Sequence, residues 1–163
     1  MTDNDKSEQS VIEGRQAMSS AIATLTAESR NQLYVLANDL DPLIYSNDAF
    51  AEQLSALARR SRRPDIRILL HQPSRLLSYQ HRALPLMQRL SSLIDVRQLH
   101  EQYRNLWQSY LINDQPMMLY QATYERYDAT LSSDTKAINE ERKQFEKMWQ
   151  YSNTATQLRR QFI

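Results

Sequence analysis

Apolar positions along this chain alternate between helical spacing and short unbroken runs, the pattern of helices packed on a buried sheet. Val11, Met18, Ile22 and Leu25 recur at helical intervals with Ala21 among them, predicting an amphipathic helix that reaches about residue 29. Residues 33–37 are a short apolar run with aromatic and β-branched members, and predict a buried strand. Ser46 or Asn47 is placed to cap a helix with Phe50, Leu54, Leu57 and Ala58 on its inner face and Pro64 as its stop. Residues 66–70 predict a second buried strand. Leu76, Ala83, Leu84, Met87 and Leu90 outline the next helix, and Pro85 inside it makes the helix either begin there or kink. Strands are predicted over residues 93–99, with Ile94 and Val96 on one face, then over 107–112 and 117–120, with a turn at 113–116 between the last two. Asp134 opens a closing helix that turns Ile138, Phe145 and Trp149 inward, and a short helix is expected from about residue 154.

Helix and strand alternate through the first part of this order, which implies parallel strands joined by right-handed crossovers. The expected fold is α/β: a mixed, mostly parallel sheet of about five or more strands with helices on both faces and a hairpin over residues 107–120 at one edge. Residues 1–8 read as a disordered polar tail, 9–152 as a single domain, and 153–163 as a short C-terminal extension.

Composition narrows function mainly by exclusion. The 163 residues are 41% hydrophobic and 24% charged, ordinary for one globular domain. A net charge of +1 supplies no global field toward nucleic acid or membrane. Cysteine is absent, which removes disulfides, thiolate catalysis and cysteine-ligated zinc together. Gly14 is the one glycine, so no glycine-rich loop is present to bring backbone N–H groups against a phosphate, and a conventional nucleotide site is not expected. The polar, partly acidic start does not read as a secretory signal and no apolar run is of membrane-spanning length; a cytoplasmic protein is expected.

The segment at 107–124 carries the most information. Asp114 follows a strand-forming stretch, with Trp107 seven positions and Ser109 five positions before it, and Gln121, Ala122 and Tyr124 after it. With the order of elements, this resembles half of a phospholipase D-like fold. That family's signature is His, one residue, Lys, four residues, Asp, then six residues and Gly-Ser-x-Asn. Setting Asp114 on the family's Asp puts Trp107 at its His, Ser109 at its Lys, Gln121 and Ala122 at its Gly-Ser pair, and Tyr124 at its Asn. Phe145 and Trp149, four apart on the closing helix, are similar to the family's pair there. The resemblance covers about residues 10 to 152. The chain also resembles a group of small bacterial proteins with this degenerate fold, some encoded beside or fused to N-acetyltransferases.

In the intact family, the resemblance implies, His attacks phosphorus while Lys and Asn hold phosphoryl oxygens. Indole is a donor without a basic lone pair, and a serine hydroxyl carries no positive charge. The expectation is therefore a non-catalytic module with no catalytic residue and no cofactor, binding a partner protein or a small anionic ligand. Trp107 is then a core or cleft-filling aromatic, and Asp114 a turn residue bonded to its own backbone. Single-motif members often pair across a shared cleft, so a homodimer is possible on the resemblance.

Ligands of open α/β sheets sit at the carboxyl ends of strands. An anion there would be held by His71, Arg75, His81 and Arg82, with Asp39 and Asp41 orienting them; the alternative is that both segments are simple turn formers. His71 or His81 as relocated nucleophile or base would make the chain a phosphoester enzyme instead. Arg59, Arg60, Arg62 and Arg63, with Arg67 beyond, are either a nucleic-acid contact or cations at a helix C-terminus, and the lack of interleaved aromatics disfavours nucleic acid. His71, His81 and His100 are too scattered for a metal site. Tyrosines crowd the second half of the chain, and Met117 and Met118 on an edge strand are a surface a second subunit could cover.

Overall fold

The structure, a computed structural model, describes residues 8–159. All but Glu8 of the tail expected at 1–8, and residues 160–163 of the extension, lie outside the described residues. The elements run β1 (Gln9–Glu13), α1 (Arg15–Glu28), β2 (Gln32–Ala37), α2 (Pro42–Tyr45), α3 (Asp48–Arg60), β3 (Asp65–Leu70), α4 (Arg75–Ser78), α5 (Leu84–Arg89), β4 (Ile94–Gln98), β5 (Ser109–Asn113), β6 (Met118–Gln121), β7 (Asp128–Ser132), α6 (Thr135–Gln150) and β8 (Asn153–Thr154). Short 3-10 turns lie at Glu101–Tyr103 and Thr156–Leu158.

One sheet of eight strands, ordered β1-β7-β6-β5-β2-β3-β4-β8, carries the fold. β2 is wholly or partly buried along its length because helices cover both faces: α1 and α3 pack Met18, Ile22, Phe50 and Leu54 on one, α6 packs Ile138, Phe145 and Trp149 on the other. Asn47 caps α3 by accepting from Phe50 N at 2.8 Å, and Asp134 caps α6 by accepting from Lys136 N and Ala137 N. The Pro85 question is settled in favour of a start. Gln80 takes φ 51° and breaks the apolar stretch, and α5 begins at Leu84 with Pro85 in its first turn.

The sheet is not mostly parallel, which corrects the sequence expectation. Only β2–β3 and β3–β4 are parallel, while β1–β7, β7–β6, β6–β5, β5–β2 and β4–β8 are antiparallel. The physical reason is connection length. Helical crossovers set β2, β3 and β4 side by side in parallel, whereas β5, β6 and β7 are joined by links of a few residues that close only as hairpins, and α6 carries the chain from β7 to β8 at the opposite side of the sheet. Two strands on that side escape the apolar pattern. β7 buries Ala129 and only partly buries Leu131, and β1, an edge strand, turns Ile12 inward while Val11 is 69% exposed. Val11 therefore does not belong to α1, whose periodicity it happens to continue. No helix among the described residues is long and apolar enough to cross a membrane.

Candidate functional site

Beyond Ala37 the chain leaves the sheet through Asn38, Asp39, Leu40 and Asp41, and this turn floors a cleft of about 460 Å³. Three of the six residues singled out from sequence, Asp39, Asp41 and Arg75, line it. Arg75, the first residue of α4, donates through Nη1 to Asp39 Oδ2 at 3.2 Å, and Tyr79 Oη donates to the same oxygen at 2.9 Å. The carboxylate holds the Arg75 pKa up, with Tyr79 adding to it. Asp41 Oδ1 caps α2 by accepting from Leu43 N at 2.9 Å, and its Oδ2 accepts from Tyr127 Oη at 2.6 Å. Burial, then the bond to Asp41, pushes the Tyr127 hydroxyl up to about 12, so it stays a donor. Tyr79, Glu125 and Tyr127 were not singled out as site residues from sequence. Tyr79 had a usable signal, since it lies four residues after Arg75 on a helical turn.

The other three candidates lie elsewhere. His81 is buried beneath the turn, 1% exposed, with Nε2 3.0 Å from Leu40 O and Nδ1 accepting from Ala83 N at 3.1 Å. Both nitrogens are engaged, and burial pulls its pKa down against the smaller upward pull of Leu40 O and Asp39. Arg82 faces α3, pairing with Asp48 at 3.2 Å. His71 borders a neighbouring hollow with Gln98 and His100; its Nε2 is buried without a partner, and burial lowers its pKa.

Of the positions set against the family signature, Trp107, Ser109, Gln121 and Tyr124 lie around the start of β5. Trp107 precedes the strand rather than lying in it. It is 50% exposed and stacks on Tyr124 with centroids 5.5 Å apart and planes 11° from parallel; of the expected core or cleft-filling aromatic, the core alternative is ruled out. The His71 and Tyr124 ring centroids are 6.4 Å apart, with the rings tilted by 44°. Ser109 is buried and donates to Leu36 O at 2.9 Å, while Gln121 donates to Arg126 O at 2.9 Å. Asp114 sits at the far end of β5. Its carboxylate accepts from the backbone N–H groups of Arg30, Asn31 and Gln32 at 2.9, 2.8 and 3.1 Å, so it ties β5 to the entry of β2 rather than bonding only its own turn. Burial raises its pKa, but these donors and Gln115 outweigh that and hold it below the ordinary value.

Of the arginine cluster, Arg60 donates to Thr26 O, Ala27 O and Ser29 O, capping the carboxyl end of α1. Arg59 donates to Ser55 O within its own helix. Arg67 lies over the Tyr34 and Trp149 rings at 5.0 and 5.5 Å and pairs with Asp65. Arg62 and Arg63 remain exposed beyond α3.

The fold so described is phospholipase D-like. Nuc from Salmonella typhimurium, a phospholipase D family member, superposes with a TM-score of 0.66 at 10% identity over 91% of this chain and 98% of its own. NucT from Helicobacter pylori does so with 0.61 at 11% identity over 91% and 99%. TrmBL2, an archaeal chromatin protein whose structure shows a novel mode of DNA binding, matches at 0.66 and 16% identity over 94% of this chain; the chain spans 56% of TrmBL2's length. At these identities the likeness is one of fold. By sequence the chain belongs to the family described as "Domain of unknown function (DUF7931)", which matches residues 14–161. No curated protein sequence matches it.

Proposed function

We propose that this chain is a non-catalytic phospholipase D-like module that binds a partner protein at the cleft beyond β2 and β3. The observation that carries the reading is the stack of Trp107 on Tyr124. By the sequence signature these two stand at the nucleophilic His and the phosphoryl-holding Asn, and their rings stack on one another. Ser109, at the Lys position, gives its hydroxyl proton to Leu36 O and offers no cation. A half-exposed indole beside a cleft is the side chain that recurs at protein interfaces. Three carboxylates against one guanidinium in the cleft lining weigh against a small anion as the ligand.

The test is hydrolysis of bis(p-nitrophenyl) phosphate. The expected result is a rate equal to buffer alone; turnover that disappears in Trp107→Ala or Ser109→Ala would overturn the reading. One observation favours relocated chemistry as a second reading: the His71 imidazole is kept neutral by burial, has no partner on Nε2 and stands beside Tyr124. That reading requires turnover abolished by His71→Ala. His81 is a poor base for it, because both its nitrogens are engaged, Nε2 with Leu40 O and Nδ1 with Ala83 N.

A further inference from the structure

The cleft has a chemistry opposite to that of a phosphate site. Asp39, Asp41 and Glu125 line it against Arg75, which is already paired with Asp39. Of the neighbouring cations, Arg15 lies over the Tyr127 ring at 5.6 Å, and Arg126, beside Glu125, pairs with Asp128 at 3.3 Å. With a whole-chain charge of +1, this concentration of negative charge is a local feature and does not follow from composition. An aromatic wall adjoins it. Trp107 stacks on Tyr124 through one face only, and on the rim Tyr79 is 39% and Leu43 54% exposed. Carboxylates beside open aromatic faces attract a cation twice over, by charge and by the ring quadrupole. The 460 Å³ of the cleft lies within the roughly 300–1,000 Å³ usual for ligand pockets, and the exposed apolar rim extends past what a small cation would cover.

We infer that the cleft docks a basic segment of a partner protein, one arginine or lysine side chain entering toward Asp41 and Glu125 while its neighbours cover Trp107 and Leu43. This rests on the non-catalytic reading and names the chemistry of the partner. Charge complementarity selects the occupant. An acidic segment or a nucleic-acid backbone would meet three carboxylates, whereas a guanidinium meets those carboxylates and a π-face on which it stacks.

Fluorescein-labelled hexa-arginine amide, titrated into the full chain and followed by anisotropy, tests it. Saturable binding is expected, weakening with salt. The affinity should fall about tenfold in Trp107→Ala and in the double variant Asp41→Asn/Glu125→Gln, where asparagine retains the cap on α2. Glu125→Gln alone, an exposed change with no bearing on folding, should weaken it about threefold. Glu101→Gln, an exposed carboxylate on the 3-10 turn after β4, should leave it unchanged. Absence of binding, or equal binding by the cleft variants, would overturn the inference. The two readings fail separately. Phosphodiester turnover would end the non-catalytic reading whatever the peptide does, and a silent phosphodiester assay with no peptide binding would end only the basic-segment inference.

Discussion

His81 Nε2 lies 3.0 Å from the carbonyl oxygen of Leu40, a fully buried leucine held at φ 53°. The left-handed conformation costs a leucine about 1–2 kcal/mol, and the surrounding structure must hold it there. The histidine does so as a neutral donor. Ala83 N occupies Nδ1, so the proton belongs on Nε2 and points at Leu40 O. Asp39 and Asp41 flank Leu40, and their placement in the cleft depends on this buried ring.

That dependence gives a pH signature. An unfolded imidazole takes up a proton near pH 6.5, whereas burial delays protonation of folded His81, and of His71, to lower pH. Protons therefore favour the unfolded chain in that window. The urea midpoint should be level above about pH 7 and fall as the pH drops below about 6.5. His81→Gln should flatten part of that fall and cost about 2 kcal/mol at pH 8. A midpoint that rises on acidification would contradict the neutral, doubly bonded ring.

Gly14 joins β1 to α1 at φ 92° and ψ 157°, a region open almost only to glycine. A Cβ added there would meet nothing within 4 Å, so any penalty is conformational and not steric. Gly14→Ala should destabilise the chain by about 1–3 kcal/mol, read as a shift in the urea midpoint with an unchanged slope. A neutral effect would mean that β1 pairs with β7 too weakly to impose the angle.

Legibility in the sequence followed burial. β2 and β3 are covered on both faces, so their apolar runs were unmistakable, and Asn47 and Asp134 announced the helices they cap. β7 alternates Ala129 and Leu131 with polar residues, too faint a signal over five positions, and β1 was masked because Val11 continues the spacing of α1. The sheet's direction was misread because alternation of helix and strand stops after β4. Within the site, Asp39 and Arg75 were named separately, but their pairing spans 36 residues and exists only in the fold. His81 could not be read at all: its partners are a carbonyl and an amide, which leave no trace in side-chain identity.

Asp114, set on the Asp of the family signature by the sequence resemblance, occupies a position that assigns it to stability. Three backbone donors from residues 30–32 converge on a carboxylate at the opposite end of β5 from Ser109. Asp114→Ala should cost about 2 kcal/mol by leaving those donors without a protein acceptor, and Asp114→Asn less. Its lowered pKa means the stabilisation is complete above the ordinary value of 3.8 and is lost as the pH falls through the lower folded value. Binding at the cleft should not change in either variant. A binding defect in a variant that melts normally would place Asp114 in the site after all.

The two tryptophans report on opposite environments. Trp107 is half exposed against Tyr124 of the cleft lining, whereas Trp149 is 6% exposed between Phe145 and Arg97, whose guanidinium lies 4.2 Å above its ring. Acrylamide should quench the emission in two components, and Trp107→Phe should remove the accessible one. The charge of the quencher then probes the cleft. With Asp41 and Glu125 in the neighbouring lining, caesium should collect near the indole and iodide should be repelled, so the caesium-to-iodide quenching ratio of the accessible component should be about twice that of N-acetyltryptophanamide in the same solution. Glu125→Gln should narrow that difference and 1 M sodium chloride should erase it, since the Debye length falls to about 3 Å. A caesium-to-iodide ratio equal to that of N-acetyltryptophanamide would show that no negative field reaches the indole, and the charge argument for a basic partner would fall with it.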